Sequence, residues 1–188
     1  RTEQLLLALL LLFSTFLFLF QLGKWALYDY DEAHYAQVVQ QTLSSGNPLS
    51  FKRLNTNWFE KPPLLLWLTM LSNKVFGENE LAMRLPSALF GILGVYGVYL
   101  LTLELTKNRW AGLTAGFILL FSGIFTASGR QFRMDVPVAT AIIFAVYSFV
   151  RAWDKPHWHW LFWFWTAMGV LLKSIIGFFA LPMILIFS

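Results

Sequence analysis

Leu5 to Leu22 reads LLLALLLLFSTFLFLFQL, a stretch without a single charge whose only polar interruptions are Ser14, Thr15 and Gln21. At a rise of about 1.5 Å per residue, a helix of this length reaches across most of a hydrocarbon core about 30 Å thick. It is too long for a secretory signal, and no small-residue cleavage site follows it. The rest of the chain repeats the pattern. Of 188 residues, 57% are hydrophobic, mean hydropathy is +0.59, and the apolar residues stand in long blocks rather than in alternation. An all-α integral membrane protein is predicted, with spans over 5–27, 86–106, 111–127, 136–153 and 158–172, a sixth over 175–188, and a large loop over 28–85.

The hairpins Lys107-Asn108-Arg109 and Asp154-Lys155-Pro156-His157 are short and are flanked by Trp110, Trp153, Trp158 and Trp160, as interfacial aromatic belts are. Gly91, Gly94 and Gly97 form a small-residue stripe suited to close helix packing. The absence of cysteine removes disulfides and thiolate metal sites. The net charge of +4 comes from scattered Lys and Arg, without the cluster a nucleic-acid footprint needs; membrane lipids or a phosphate are the expected anionic partners. The chain opens on Arg1 and closes at Ser188 within the apolar run Phe178 to Phe187, which reads as the front part of a longer protein.

The loop over 28–85 holds most of the charge, and loops of that length usually carry function. Asp31 is placed to N-cap a surface helix running to Ser44, where Ser-Gly-Asn-Pro stops it. Pro62 and Pro63 suit the first turn of a second helix over Leu64 to Phe76, too short to cross a bilayer and therefore re-entrant or interfacial. Counting Lys and Arg per loop favours an N-terminus outside. We adopt the opposite orientation, partly because Asp29, Asp31, Glu32, Glu60, Glu78 and Glu80 nearly balance the cations of the first loop and partly on the resemblance given below.

With alternating spans, three charged groups fall on one side of the membrane: Asp29 to Glu32, Glu60-Lys61-Pro62-Pro63, and Arg130 to Asp135. A carboxylate serves as a general base, and cations beside a membrane hold a phosphate leaving group, so the set suits transfer from a phosphorylated lipid to an oxygen nucleophile. The same residues are compatible with a transporter or flippase of lipid-linked or small anionic substrates, in which carboxylates relay protons, or with turn-framing and helix-capping alone.

Four elements carry a resemblance: Asp31-Glu32-Ala33-His34-Tyr35-Ala36, Phe59-Glu60-Lys61-Pro62-Pro63-Leu64, Phe76-Gly77-Glu78-Asn79-Glu80 with Arg84-Leu85-Pro86, and Arg133-Met134-Asp135-Val136-Pro137. In order and spacing they resemble the front half of bacterial lipid-dependent glycosyltransferases, the group of the lipid A aminoarabinose transferase and the protein O-mannosyltransferases. The resemblance implies a GT-C bundle with amphipathic surface helices in the first extracytoplasmic loop, in a bacterial inner membrane. It further implies an inverting hexosyl or pentosyl transfer from a polyprenyl-phosphate sugar to a lipid, glycan or protein acceptor of the cell envelope, with no nucleotide cofactor. By motif, Asp31 would be the catalytic carboxylate, Glu32 its companion and Asp135 a second carboxylate of the cavity. Lys61 and Tyr35 would hold the donor phosphate, with His34, Arg130 and Arg133 beside it. Glu60 would help bind a divalent metal, zinc or magnesium. Lys173 resembles the lysine that follows the fifth span and is expected to face the cavity. His34 stands where the aminoarabinose enzymes have Arg, and Trp58 where they have Tyr, so their sugar specificity is not carried over.

Overall fold

The computed structural model describes residues 2–28, 30–54 and 56–182. Four helices are long and apolar enough to span a membrane: α1 (Thr2–Leu19), α4 (Glu80–Thr106), α7 (Asp135–Ala152) and the segment Pro156–Pro182, which contains α8 (His159–Lys173). A fifth span is made by α5 (Arg109–Phe121) with α6 (Gly123–Gly129), bent by 67° at Ser122. The break replaces the straight span expected over 111–127, and the Ser-Gly pair at the bend is its local cause. Beyond α8, Ser174 takes φ 47 and the chain continues as a 3-10 turn over Ser174–Phe179. Of the sixth span expected over 175–188, residues 183–188 lie outside the described residues, as does Asp29 of the acidic group at the start of the loop.

The first helix ends at Leu19 rather than near residue 27, and the span expected from Pro86 begins earlier, at Glu80. Asn79 sets that start, its side chain accepting from the Ala82 N–H at 2.9 Å as an N-cap. Pro86 therefore sits within α4. The glycine stripe permits close packing: a Cβ at Gly91 would lie 2.4 Å from the Phe18 ring and one at Gly94 2.7 Å from Thr140 Oγ1.

The loop folds as α2 (Asp31–Ser44), a short antiparallel hairpin of β1 (Lys52–Arg53) and β2 (Thr56–Asn57), and α3 (Leu64–Phe76). The hairpin was not foreseen. It is tied to α2 by Lys52 N–H donating to Thr42 Oγ1 at 3.1 Å and closed by Trp58 N–H donating to Phe51 O at 2.8 Å. Tyr35, Val38, Val39 and Thr42 bury one side of α2, and the first three join Leu65, Leu66 and Met70 of α3 and Phe132 in the main apolar core. The surface helices are thus welded to the membrane bundle.

Two charged ends result. At one, Glu104 is buried and pairs with Arg151 at 2.5 Å and with Lys107, and the Arg151 guanidinium lies over the Trp158 ring. At the other, α2 packs on α3 and the β1–β2 hairpin and meets Arg84 of α4 and Arg133 before α7, and the candidate site lies there.

Candidate functional site

Asp31 is the first residue of α2, with Tyr30 rather than Asp31 in the N-cap position. Tyr30 has φ 81, an uncommon conformation for a residue with a Cβ, and is 90% exposed. Successive helix residues turn by about 100°, so neighbouring side chains do not share a face. Asp31 and Glu32 separate accordingly: their side chains are 45% and 1% exposed.

Glu32 points into the protein and pairs with Arg84 of α4, itself 3% exposed. Arg84 donates to Glu32 Oε1 at 2.9 Å and Oε2 at 2.8 Å, and also to the carbonyls of Leu22, Trp25 and Ala26 at 3.0, 2.8 and 2.9 Å. Glu32 further accepts the backbone N–H of Tyr28 at 2.8 Å and of Phe132 at 2.6 Å. Burial pushes its carboxyl up, but Arg84 and the two amides outweigh that and hold it below the ordinary carboxylate value. Every lone-pair direction of Glu32 is taken up by protein. The sequence-based role of companion acid at the reacting centre therefore does not match its position.

Asp31 faces outward into a cavity of about 860 Å³. Its Oδ2 lies 3.4 Å from Arg133 Nη2, and Arg133 Nε lies 3.2 Å from Asp135 Oδ2, a contact too bent to be a hydrogen bond. Asp135 meets Lys173 Nζ through its other oxygen. Lys173, expected at the cavity, thus joins the site's charged chain: Asp31, Arg133, Asp135, Lys173. These residues come from α2, the α6–α7 connection, the first turn of α7 and the last of α8.

Tyr35, His34, Glu60 and Lys61 line the same cavity. Burial, then the charges of Asp31 and Asp135, push the Tyr35 hydroxyl up to about 12, so it remains a hydrogen-bond donor. His34 Nε2 accepts from the buried Trp58 Nε1–H at 3.1 Å and lies 3.8 Å from Glu60 Oε2. That contact assigns the ring proton of neutral His34 to Nδ1. For a metal the fit is incomplete. No three His, Cys, Asp or Glu side chains converge among the described residues, and His34 Nε2, the nitrogen nearest Glu60, is already committed to Trp58.

Arg130 departs from expectation. Its guanidinium donates to Phe20 O at 2.8 Å and to Leu17 O, capping the end of α1, and it lines a separate cleft beside Trp25 and Gln131. A cation at a helix C-terminus satisfies orphan carbonyls, which explains its capture there. Arg84 had no assigned role, although a charge so close to an apolar span was itself a signal. The phase of α2 held another: Glu32 precedes Tyr35, Ala36 and Val39 by three, four and seven residues and so shares their buried face.

The model of the dolichyl-phosphate-mannose-protein mannosyltransferase family matches residues 60–188. Undecaprenyl phosphate-alpha-4-amino-4-deoxy-L-arabinose arabinosyl transferase 2 of Sodalis glossinidius is 31% identical over 139 residues, covering 74% of this chain and 25% of that protein. The protein of the same description from Pseudomonas fluorescens is 39% identical over 127 residues, covering 65% of this chain and 22% of its own. The crystal structure of ArnT from Cupriavidus metallidurans bound to undecaprenyl phosphate superposes with a TM-score of 0.85 at 22% identity, over 96% of this chain and 34% of that one. The chain spans about a third or less of the length of these proteins. Its fold is an all-α membrane bundle of the GT-C type, and the chain belongs to the dolichyl-phosphate-mannose-protein mannosyltransferase family.

Proposed function

We propose that the protein is a membrane glycosyltransferase that moves a sugar from a polyprenyl-phosphate donor to a lipid, glycan or protein acceptor, with inversion. The cavity end of the bundle is read as the extracytoplasmic face of a bacterial inner membrane. The observation that carries this reading is the cavity itself: Asp31 opens into it, and Lys61 lines it without a carboxylate partner among the described residues. The relatives described as undecaprenyl phosphate-alpha-4-amino-4-deoxy-L-arabinose arabinosyl transferases support it.

In this reading an acceptor oxygen attacks the anomeric carbon from the face opposite the phosphate. Its proton passes to Asp31 as the new C–O bond forms. The bond between the anomeric carbon and the phosphate oxygen breaks, and the electron pair leaves with the polyprenyl phosphate. Lys61 stabilises the added negative charge and the Tyr35 hydroxyl donates to the phosphate. Arg133 lies between Asp31 and Asp135 and holds the two carboxylates in register, while Lys173 meets the other oxygen of Asp135. A divalent metal at Glu60 and His34 would need ligands beyond the described residues.

The transporter reading needs charge midway through the bundle, whereas these groups gather at one end. The test is transfer by the full-length protein in proteoliposomes from a panel of polyprenyl-phosphate sugars, with products followed by mass spectrometry. Transfer from at least one donor, lost in Asp31→Asn, is expected. Binding of donors without transfer from any would overturn the enzyme assignment in favour of transport.

A further inference from the structure

Lys61 is not the only cation of the cavity. Arg53, on β1, lines it as well, and neither forms an ion pair among the described residues. Arg53 is held in place. The hairpin pairs it with Thr56, Thr56 Oγ1 donates to its carbonyl at 2.7 Å, and its own Nε donates to Gln37 Oε1 at 3.3 Å. The two terminal guanidinium nitrogens donate to no described protein group. A fork so fixed presents two parallel donors, the geometry that carboxylate and phosphate match.

Position separates this fork from the reacting centre. Asp31, His34, Gln37 and Gln40 follow one another at intervals of three along α2, and all four line the cavity. With a rise of about 1.5 Å per residue, Gln37 lies about 9 Å along the helix from Asp31 and Gln40 about 13 Å. The cavity therefore runs along α2, with Asp31 at one end, His34 and the neighbouring Glu60 in the middle, and Gln37, Gln40 and Arg53 toward the other. Its volume of about 860 Å³ exceeds what one anchored phosphate requires and lies toward the upper end of ligand cavities.

We propose that Arg53, oriented by Gln37 and assisted by Gln40, is a second anion subsite, which takes a carboxylate or phosphate carried by the acceptor about 9 to 13 Å from its reacting oxygen. The proposal rests on the transferase reading for the word acceptor, and on the cavity alone for the site. In it the donor phosphate and the distal anion occupy different cations, so the two substrates bind without competing for one charge. Gln37 is a positioning residue: it fixes the Arg53 fork and supplies no charge of its own.

Protection from chemical labelling tests this on the whole chain in phosphatidylcholine nanodiscs. Arg53 is modified with phenylglyoxal and Lys61 with an amine-reactive reagent, and each rate is read by peptide mass spectrometry. Glycerol 3-phosphate and gluconate, the phosphate and carboxylate probes, are each expected to slow Arg53 labelling several-fold, and the slower of the two rates names the preferred anion. Undecaprenyl phosphate is expected to slow Lys61 labelling and leave Arg53 unchanged. In Gln37→Leu, small-anion protection of Arg53 should require a higher concentration, while Lys61 protection stays as in wild type. Arg53 that is protected by neither small anion, or only by undecaprenyl phosphate, overturns the second subsite. Lys61 that undecaprenyl phosphate leaves unprotected would instead strike the donor assignment, so the two failures are distinguishable.

Discussion

Asp31 and Glu32 are consecutive carboxylates on one helix, and the protein uses them in opposite ways. Glu32 is buried with Arg84 at 2.8 Å and has its remaining lone pairs filled by backbone amides; Asp31 is half-exposed and touches Arg133 at 3.4 Å across the cavity edge. The buried pair ties together the end of α1, the first turn of α2, α4 and the connection before α7. The open chain of Asp31, Arg133, Asp135 and Lys173 stands on that framework. A desolvated pair is costly to leave half-made, whereas a solvated pair contributes little to stability and keeps its charge available to a substrate. Charge that holds structure and charge that does chemistry can thus lie one residue apart, separated by a turn of about 100°.

The largest expected effect is on catalysis. Asp31→Asn keeps the shape and removes the base, and should lower transfer by about 10²- to 10⁴-fold in a single-turnover assay. Near-wild-type turnover would remove Asp31 from the reaction. Next comes the buried pair. Glu32→Gln or Arg84→Met alone should destabilise the protein by about 3–5 kcal/mol, because each leaves a buried charge without its partner. The double variant Glu32→Leu/Arg84→Met should recover much of that loss in denaturant unfolding in detergent, and equal, additive losses would show that the pair is not coupled.

Lys61→Ala should weaken donor binding by about 10- to 100-fold, the worth of one charge-assisted hydrogen bond of about 1.5–3 kcal/mol. An unchanged donor titration would exclude it from the phosphate site. The smallest effect is on pH. Glu32 is held below the ordinary value of 4.5, so its contribution to stability is present above 4.5 and is lost as pH falls through the depressed value. Wild-type stability should decline over that acid range, and the Glu32→Leu/Arg84→Met variant should lack this component.

Much of this arrangement was legible in the sequence. The surface helices over 31–44 and 64–76 lie between the expected boundaries, because Ser-Gly-Asn-Pro, Pro-Pro and Gly77 punctuate them locally. Of the residues the sequence groups into one site, Asp31, His34, Tyr35, Glu60 and Lys61 share one cavity, whereas Glu32, Arg130, Arg133 and Asp135 do not line it. What could not be read directly depends on distance along the chain. Arg84 and Glu32 are 52 residues apart, and Arg130 is 113 residues from the carbonyl of Leu17 that captures it. Spacing gives the face a residue occupies but not which distant group meets it there. The bend between α5 and α6 and the hairpin that presents Arg53 were local and still missed, since an apolar run masks a Ser-Gly break and a two-residue strand leaves no period to detect.

The division of labour between the two carboxylates is tested most directly by comparing Asp31→Asn and Glu32→Gln side by side, with unfolding midpoint and sugar transfer per folded molecule measured on each. Asp31→Asn is predicted to unfold with the wild type and to transfer sugar about 10²- to 10⁴-fold more slowly, and Glu32→Gln to unfold early while its folded fraction still transfers sugar. An Asp31→Asn protein that is folded and fully active, or a Glu32→Gln protein that is as stable as wild type and inactive, would contradict the account.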